Sequence, residues 1–104
     1  MSAHTRVVVT GLGLVTPLGT DVASTWQAVL AGKSGVRALH EDWAVDLSSK
    51  VAGAIDADLS GVLDKVAARR MDRSTQFAVV AAKQAVADAN VLANVDPIRL
   101  GVAF

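Results

Sequence analysis

Between Phe77 and Ala89 the chain holds nothing but Ala, Val and Phe, apart from Lys83, Gln84 and Asp88. With Gln76 these polar residues fall at i, i+7, i+8 and i+12, one narrow stripe on a helix. Asp72 is placed to cap such a helix, and Asn90 to end it near Ala89. A helix that is apolar around most of its circumference expects neighbours on most sides. The rest of the chain must therefore enclose it, or something else must.

Composition makes the demand harder to meet. Of 104 residues, 52% are apolar and 19% charged, whereas ordinary globular usage is about 45–50% apolar with glycine included and about 25% charged. A small domain has more surface per residue and should be more polar than average. The surplus implies cover by partner subunits, or a chain that is part of a larger protein.

Ten Lys and Arg balance ten Asp and Glu, which argues against coating nucleic acid or an anionic membrane. No apolar run approaches the roughly 18 residues that span a bilayer, and residues 1–6 carry no signal-peptide core. A cytoplasmic protein is the default. With no cysteine, disulfides, thiolate metal sites and a cysteine nucleophile are excluded from this chain.

Elsewhere the pattern predicts α/β structure. Arg6-Val-Val-Val-Thr-Gly-Leu-Gly-Leu-Val reads as a buried strand running into a glycine turn, its consecutive β-branched residues suiting a parallel sheet covered on both faces. Thr16-Pro17-Leu18-Gly19 is a turn. Thr20 or Asp21 caps a helix whose Val22, Trp26, Val29 and Leu30 share one face, with Gly32 just past its end. Residues 40–46 read as loop, 50–55 as a short strand and 59–68 as a short helix. Asp96-Pro97 marks a boundary. Leu100-Gly-Val-Ala-Phe opens a second buried strand, joined to the first by a right-handed parallel crossover. A chain stopping inside that strand looks truncated.

Gly11-Leu-Gly13-Leu-Val-Thr16 invites comparison with a dinucleotide-binding turn. Thr16 stands where the third glycine is needed, and the helix starts too late to aim its N-terminus at a pyrophosphate. His4 and His40 have no partner at triad or metal spacing, and Glu41 and Asp42 are adjacent in a loop. No catalytic constellation, cofactor site or metal site emerges.

Charge is more informative. Residues 41–64 hold six acids (Glu41, Asp42, Asp46, Asp56, Asp58, Asp64) and one base, Lys50. Residues 65–73 hold four bases (Lys65, Arg69, Arg70, Arg73) and one acid, Asp72. Lys65 and Arg69 share a helix face. The basic run is either a solvated face exchanging salt bridges with the acidic stretch, or a docking patch for an acidic partner.

Three blocks carry a resemblance. Arg6 through Gly19, then Ser24-Thr25-Trp26 and Leu30-Ala-Gly-Lys-Ser-Gly-Val36, then Arg69-Arg70-Met71-Asp72-Arg73-Ser74 with Gln76-Phe77-Ala78 and Arg99-Leu-Gly-Val-Ala together resemble the N-terminal part of β-ketoacyl-acyl-carrier-protein synthases of the elongating type. The block at 71–78 also resembles ketosynthases of aromatic polyketide pathways.

The resemblance implies a thiolase-like fold, a layered αβαβα stack with mixed sheets, active as a homodimer and incomplete in this chain. Residues 1–104 would form the opening part of its N-terminal domain. It implies an acyltransferase that performs decarboxylative Claisen condensation of an acyl-thioester with malonyl-carrier protein in fatty-acid elongation. The substrates are carried on the phosphopantetheine of acyl carrier protein, with no other cofactor. The family's catalytic cysteine and two histidines lie beyond residue 104, so a fragment of this length is expected to be inactive. Basic residues before the Met-Asp of the long helix face the carrier protein in that family, and Arg69 and Arg70 match them. Lys65 stands one place from the usual basic position, which Val66 occupies. The rival from another class is a non-catalytic α/β module that binds an acidic protein through residues 65–73.

Overall fold

The computed structural model describes residues 3–103. In chain order these are α1 (Val22–Leu30), β1 (Arg37–Ala38), a 3₁₀ turn (Asp42–Ala44), β2 (Val51–Ala52), α2 (Lys65–Ala68), α3 (Arg73–Ala89), α4 (Val91–Asn94) and a second 3₁₀ turn (Pro97–Arg99). The two principal helices begin and end where the sequence says. Asp21 accepts the Ser24 N–H at 2.7 Å and Asp72 accepts the Thr75 N–H at 2.7 Å, each satisfying one donor that the first turn leaves open. Gly32, at φ 67°, closes α1, with its N–H on the Val29 carbonyl and the Lys33 N–H on that of Ala28, both at 3.0 Å. Asn90, at φ 49°, closes α3. The Thr16–Gly19 turn is present, paired by backbone bonds of 2.8 and 3.2 Å.

The strands depart from expectation. Residues 6–15 form no ladder among the described residues, and Val7 is 89% exposed. Residues 100–103 likewise carry no ladder, and Phe104 lies outside the described residues. A strand assignment needs a hydrogen-bonded neighbour, and neither segment lies beside one. The expected parallel crossover is therefore not seen among the described residues. The one ladder among the described residues is antiparallel, Arg37 opposite Ala52 and Ala38 opposite Val51. Its second strand falls inside the predicted 50–55 segment, and its first was not foreseen. The helix expected over 59–68 is confined to Lys65–Ala68, because Asp64 takes an extended backbone and caps it from there, accepting the Ala67 N–H at 2.9 Å. A 3₁₀ turn occupies part of the predicted 40–46 loop.

In place of a strand pairing, residues 11–14 lie across α3 as a strap. A methyl group on Gly11 would sit 2.5 Å from the Ala85 carbonyl oxygen and 2.7 Å from the Ala89 Cβ, and one on Gly13 would sit 2.8 Å from the Ala85 nitrogen. Only glycine permits this approach. The strap is then bonded by side chains, with the Leu12 N–H on Asp88 and the Leu14 N–H on Gln84, each at 3.0 Å. Gln84 also donates to the Thr20 carbonyl at 2.6 Å, and Lys83 to the Val62 carbonyl at 3.4 Å. The polar stripe of α3 is thus the edge to which the rest of the chain is tied.

Beside that edge sits a small core of Leu59, Leu63 and Val80, joined by Val15, Ala57, Ala68, Phe77 and Val79. The remaining apolar face of α3, with Ala78, Ala82, Val86 and Ala87, is exposed, so the helix is covered on one side rather than most. The apolar face expected on α1 is bare as well. Thr25 and Ala28 are its buried residues, whereas Trp26 is 58% and Leu30 65% exposed. A radius of gyration of 17.7 Å compares with about 13 Å for a compact chain of this length. The surface of 8355 Å² compares with about 5,500 Å² for a compact protein of this mass. The described residues form helices, a strap and a hairpin, and much of the apolar surplus of the sequence is exposed.

Candidate functional site

Three cations from the sequence reading are displayed together on the passage from α2 to α3. Lys65 opens α2, Arg69 is its C-cap and Arg70 follows in the turn, with the Arg69 N–H on the Lys65 carbonyl at 3.3 Å and the Arg70 N–H on that of Ala67 at 3.0 Å. All three residues are exposed. Val66, between them, is exposed too.

Their acidic neighbours are engaged elsewhere. Asp64 caps α2, and Asp72 caps α3 while also accepting the Ser74 hydroxyl at 2.8 Å. The Asp72 carboxyl is held below its ordinary range, first by the Thr75 N–H and then by the Ser74 hydroxyl. The acidic stretch pairs with a different base. Arg37 reaches Glu41 at 2.6 Å and Asp56 at 2.9 Å, and these are the ion pairs among the described residues. The salt-bridge exchange between residues 41–64 and 65–73 is therefore not made, and Lys65, Arg69 and Arg70 have no carboxylate within pairing distance among the described residues.

Arg73, the fourth base of the run, is exposed as well but tied to its neighbours. It donates to the Ala57 carbonyl and, at 3.2 Å, to Gln76 Oε1, and its guanidinium lies 4.8 Å from the centre of the Phe77 ring, within cation–π range. Gln76 donates to the Ala68 carbonyl at 3.0 Å and the Met71 carbonyl at 3.4 Å. Arg73 was counted in the basic run of the sequence reading, whereas Gln76 was not singled out as part of the site. Their signal was position, with Arg73 closing the basic run and Gln76 opening the polar stripe.

The other candidates separate. Gly11 and Gly13 pack closely on α3, and the helix that follows starts at Val22 and is capped by its own Asp21. His4 and His40 are exposed. Among the described residues no group of three His, Asp or Glu side chains is placed to hold a metal ion, and no helix is long and apolar enough to cross a membrane.

Residues 4–104 match the family model described as "Beta-ketoacyl synthase, N-terminal domain". The chain is similar to the 3-oxoacyl-[acyl-carrier-protein] synthase 2 of Staphylococcus aureus (strain COL), with 40% identity over 104 residues, covering 98% of this chain and 25% of that protein. It is 43% identical to the protein of the same name from Coxiella burnetii over 101 residues, 95% of this chain and 24% of the other. To the one from Synechocystis sp. it is 40% identical over 90 residues, 86% and 22% respectively. The chain spans about a quarter of the length of these curated relatives.

Proposed function

The chain belongs to the beta-ketoacyl synthase family through its N-terminal domain, and on that premise we propose that it supplies the opening quarter of a condensing enzyme of fatty-acid elongation. In this reading the whole enzyme takes an acyl group as a thioester on its own cysteine. Malonyl-carrier protein loses CO₂, and the resulting carbanion attacks the acyl carbonyl, releasing the cysteine thiolate and forming β-ketoacyl-carrier protein. A thiolate is a good nucleophile near neutral pH, and hydrogen-bond donors must meet the oxyanion that develops. Residues 1–104 do not supply the thiolate, having no cysteine. Their part is structural, together with docking of the carrier by Arg69, Arg70 and Lys65. The enzyme is cytoplasmic and homodimeric, and its substrates bring their own phosphopantetheine.

The observation that carries this reading is the identity to synthases named for the acyl-carrier-protein reaction, sustained over 98% of the chain. The test gives acyl- and malonyl-carrier protein to the full-length synthase carrying this segment and to the 104-residue chain. β-Ketoacyl product is expected from the first and not the second. Absence from both, with a folded full-length protein, overturns the proposal. For docking, the double change Arg69→Ala with Arg70→Ala should raise KM for the carrier-linked substrate about 5- to 30-fold, since exposed pairs are individually weak. The loss should shrink with salt, and a small free thioester should turn over as before. Equal losses on both substrates would remove the docking assignment and leave the family standing.

A further inference from the structure

Arg69 and Arg70 stand on a turn that has little of its own to hold it. α2 has four residues, and a helix that short is marginal without tertiary support. Besides the Asp64 cap and the packing of Ala68 on the core, support comes from a side chain of the next helix. Gln76, half-buried on α3, donates from Nε2 to the carbonyl of Ala68 at 3.0 Å and to that of Met71 at 3.4 Å. Those two carbonyls flank the arginines on either side. Its Oε1 accepts from Arg73 at 3.2 Å, and Arg73 is itself held by the Ala57 carbonyl and the Phe77 ring. Turning the amide over would set its oxygen against two carbonyls and its NH₂ against a guanidinium, so one orientation is enforced.

The geometry points to Gln76 as the positioning residue of the docking turn. It fixes the backbone from 68 to 71 so that both guanidinium groups leave an already ordered surface, and an acidic partner need not order the turn as it binds. This inference rests on the reading above, that the arginines receive an acidic carrier protein. It is separable from a role in the core, because Leu59, Leu63 and Val80 pack on one another and on apolar neighbours, while Gln76 bonds backbone oxygens.

The variant Gln76→Met keeps length and removes the hydrogen bonds. In the full-length synthase carrying this segment, KM for carrier-linked substrate should rise about 2- to 10-fold, the scale of reordering a side chain or two on binding. Turnover at saturation and on a small free thioester should not change. Gln76→Glu keeps an acceptor for Arg73 but sets a carboxylate against two carbonyls, and should do no better. The decisive arm is additivity. In the Arg69→Ala, Arg70→Ala background, Gln76→Met should add nothing, because it acts through those residues. If the arginine pair raises KM and Gln76→Met does not, the positioning role is overturned and docking stands. Equal losses on both substrates, or a further loss in the arginine-free background, overturn it in favour of a general structural role. If neither change moves KM, docking falls and this inference with it.

Discussion

Helices α1 and α3 are built on the same local plan. Each has an aspartate N-cap bonded at 2.7 Å to the N–H three residues on, and each stops at a residue of positive φ. Yet α3 carries the core and a glycine strap, while α1 shows its Trp26, Val29 and Leu30 to solvent. The caps act within one turn of chain and need nothing from elsewhere. Burial needs a partner, and the chain supplies cover for one side of α3 and very little for α1. The hairpin that follows α1 adds ionic contacts on Arg37 to the buried Leu39 and Ala44, where the α3 region is held by apolar packing without ion pairs among the described residues.

The largest expected effect is therefore a contrast between equal truncations. Leu59→Ala removes a side chain 3% exposed from the core and should cost about 2–5 kcal/mol. Leu30→Ala on α1 removes one 65% exposed and should stay within about 0.5 kcal/mol. Urea unfolding of the chain followed by circular dichroism compares them. Comparable losses would mean that α1 is covered in solution and that the contrast between the helices is wrong.

Next comes the strap. Gly13→Ala drives a methyl group into the backbone of α3 and should cost about 1–3 kcal/mol as overpacking. Gly61→Ala meets nothing within 4 Å at an ordinary φ and should be neutral or slightly stabilising. The same unfolding experiment applies, with the Leu12 and Leu14 amides exchanging faster only in the first variant. A tolerated Gly13→Ala would show that the strap does not lie against α3.

A smaller and equal effect is expected at the two caps. Asp21→Ala and Asp72→Ala should each reduce helical ellipticity, and Asn at either position should restore most of it. Both carboxyls lie below their ordinary range, through the Ser24 hydroxyl at Asp21 and the Thr75 N–H at Asp72. Markedly unequal losses would show that the caps depend on tertiary context and are not the shared feature described.

What was legible in the sequence follows the same division. Asp21, Gly32, Asp72 and Asn90 could be read because a cap and its target are three or four residues apart. The basic run at 65–73 could be read because charge is visible without a fold. The strap could not. It joins Leu12 to Asp88 and Leu14 to Gln84, some seventy residues apart, and no local periodicity records such a contact. Strands at 6–15 and 100–104 were expected from β-branched and apolar content, but a strand is defined by its neighbour. Gln76 passed as one more polar position on the stripe, although a stripe rich in amides and carboxylate already hinted at backbone ligation rather than plain solvation.

The smallest effect separates the hairpin from the α3 region by pH. Arg37 draws the Glu41 carboxyl from its ordinary 4.5 to about 2, chiefly through their hydrogen bond, with backbone N–H groups at Glu41 and His40 assisting. A carboxyl lowered on folding stabilises the native state fully above its unfolded value, and the contribution is lost as pH falls from about 4.5 toward 2. The pair is partly exposed, so the change should be modest and should fade with added salt. Amide exchange at Leu39, whose N–H bonds the Lys50 carbonyl beside the β1–β2 ladder at 2.8 Å, reports the hairpin. Exchange at Val80, in the middle of α3 and 1% exposed, reports the core. Between pH 4.5 and 2 protection should decline at Leu39 before Val80, after correction for the intrinsic pH dependence of exchange. Arg37→Met should shrink that difference, because only the backbone N–H groups at Glu41 and His40 then hold the Glu41 carboxyl down. If both amides lose protection together, with or without Arg37, the hairpin and the α3 region unfold as one unit and the ionic contacts do not set them apart.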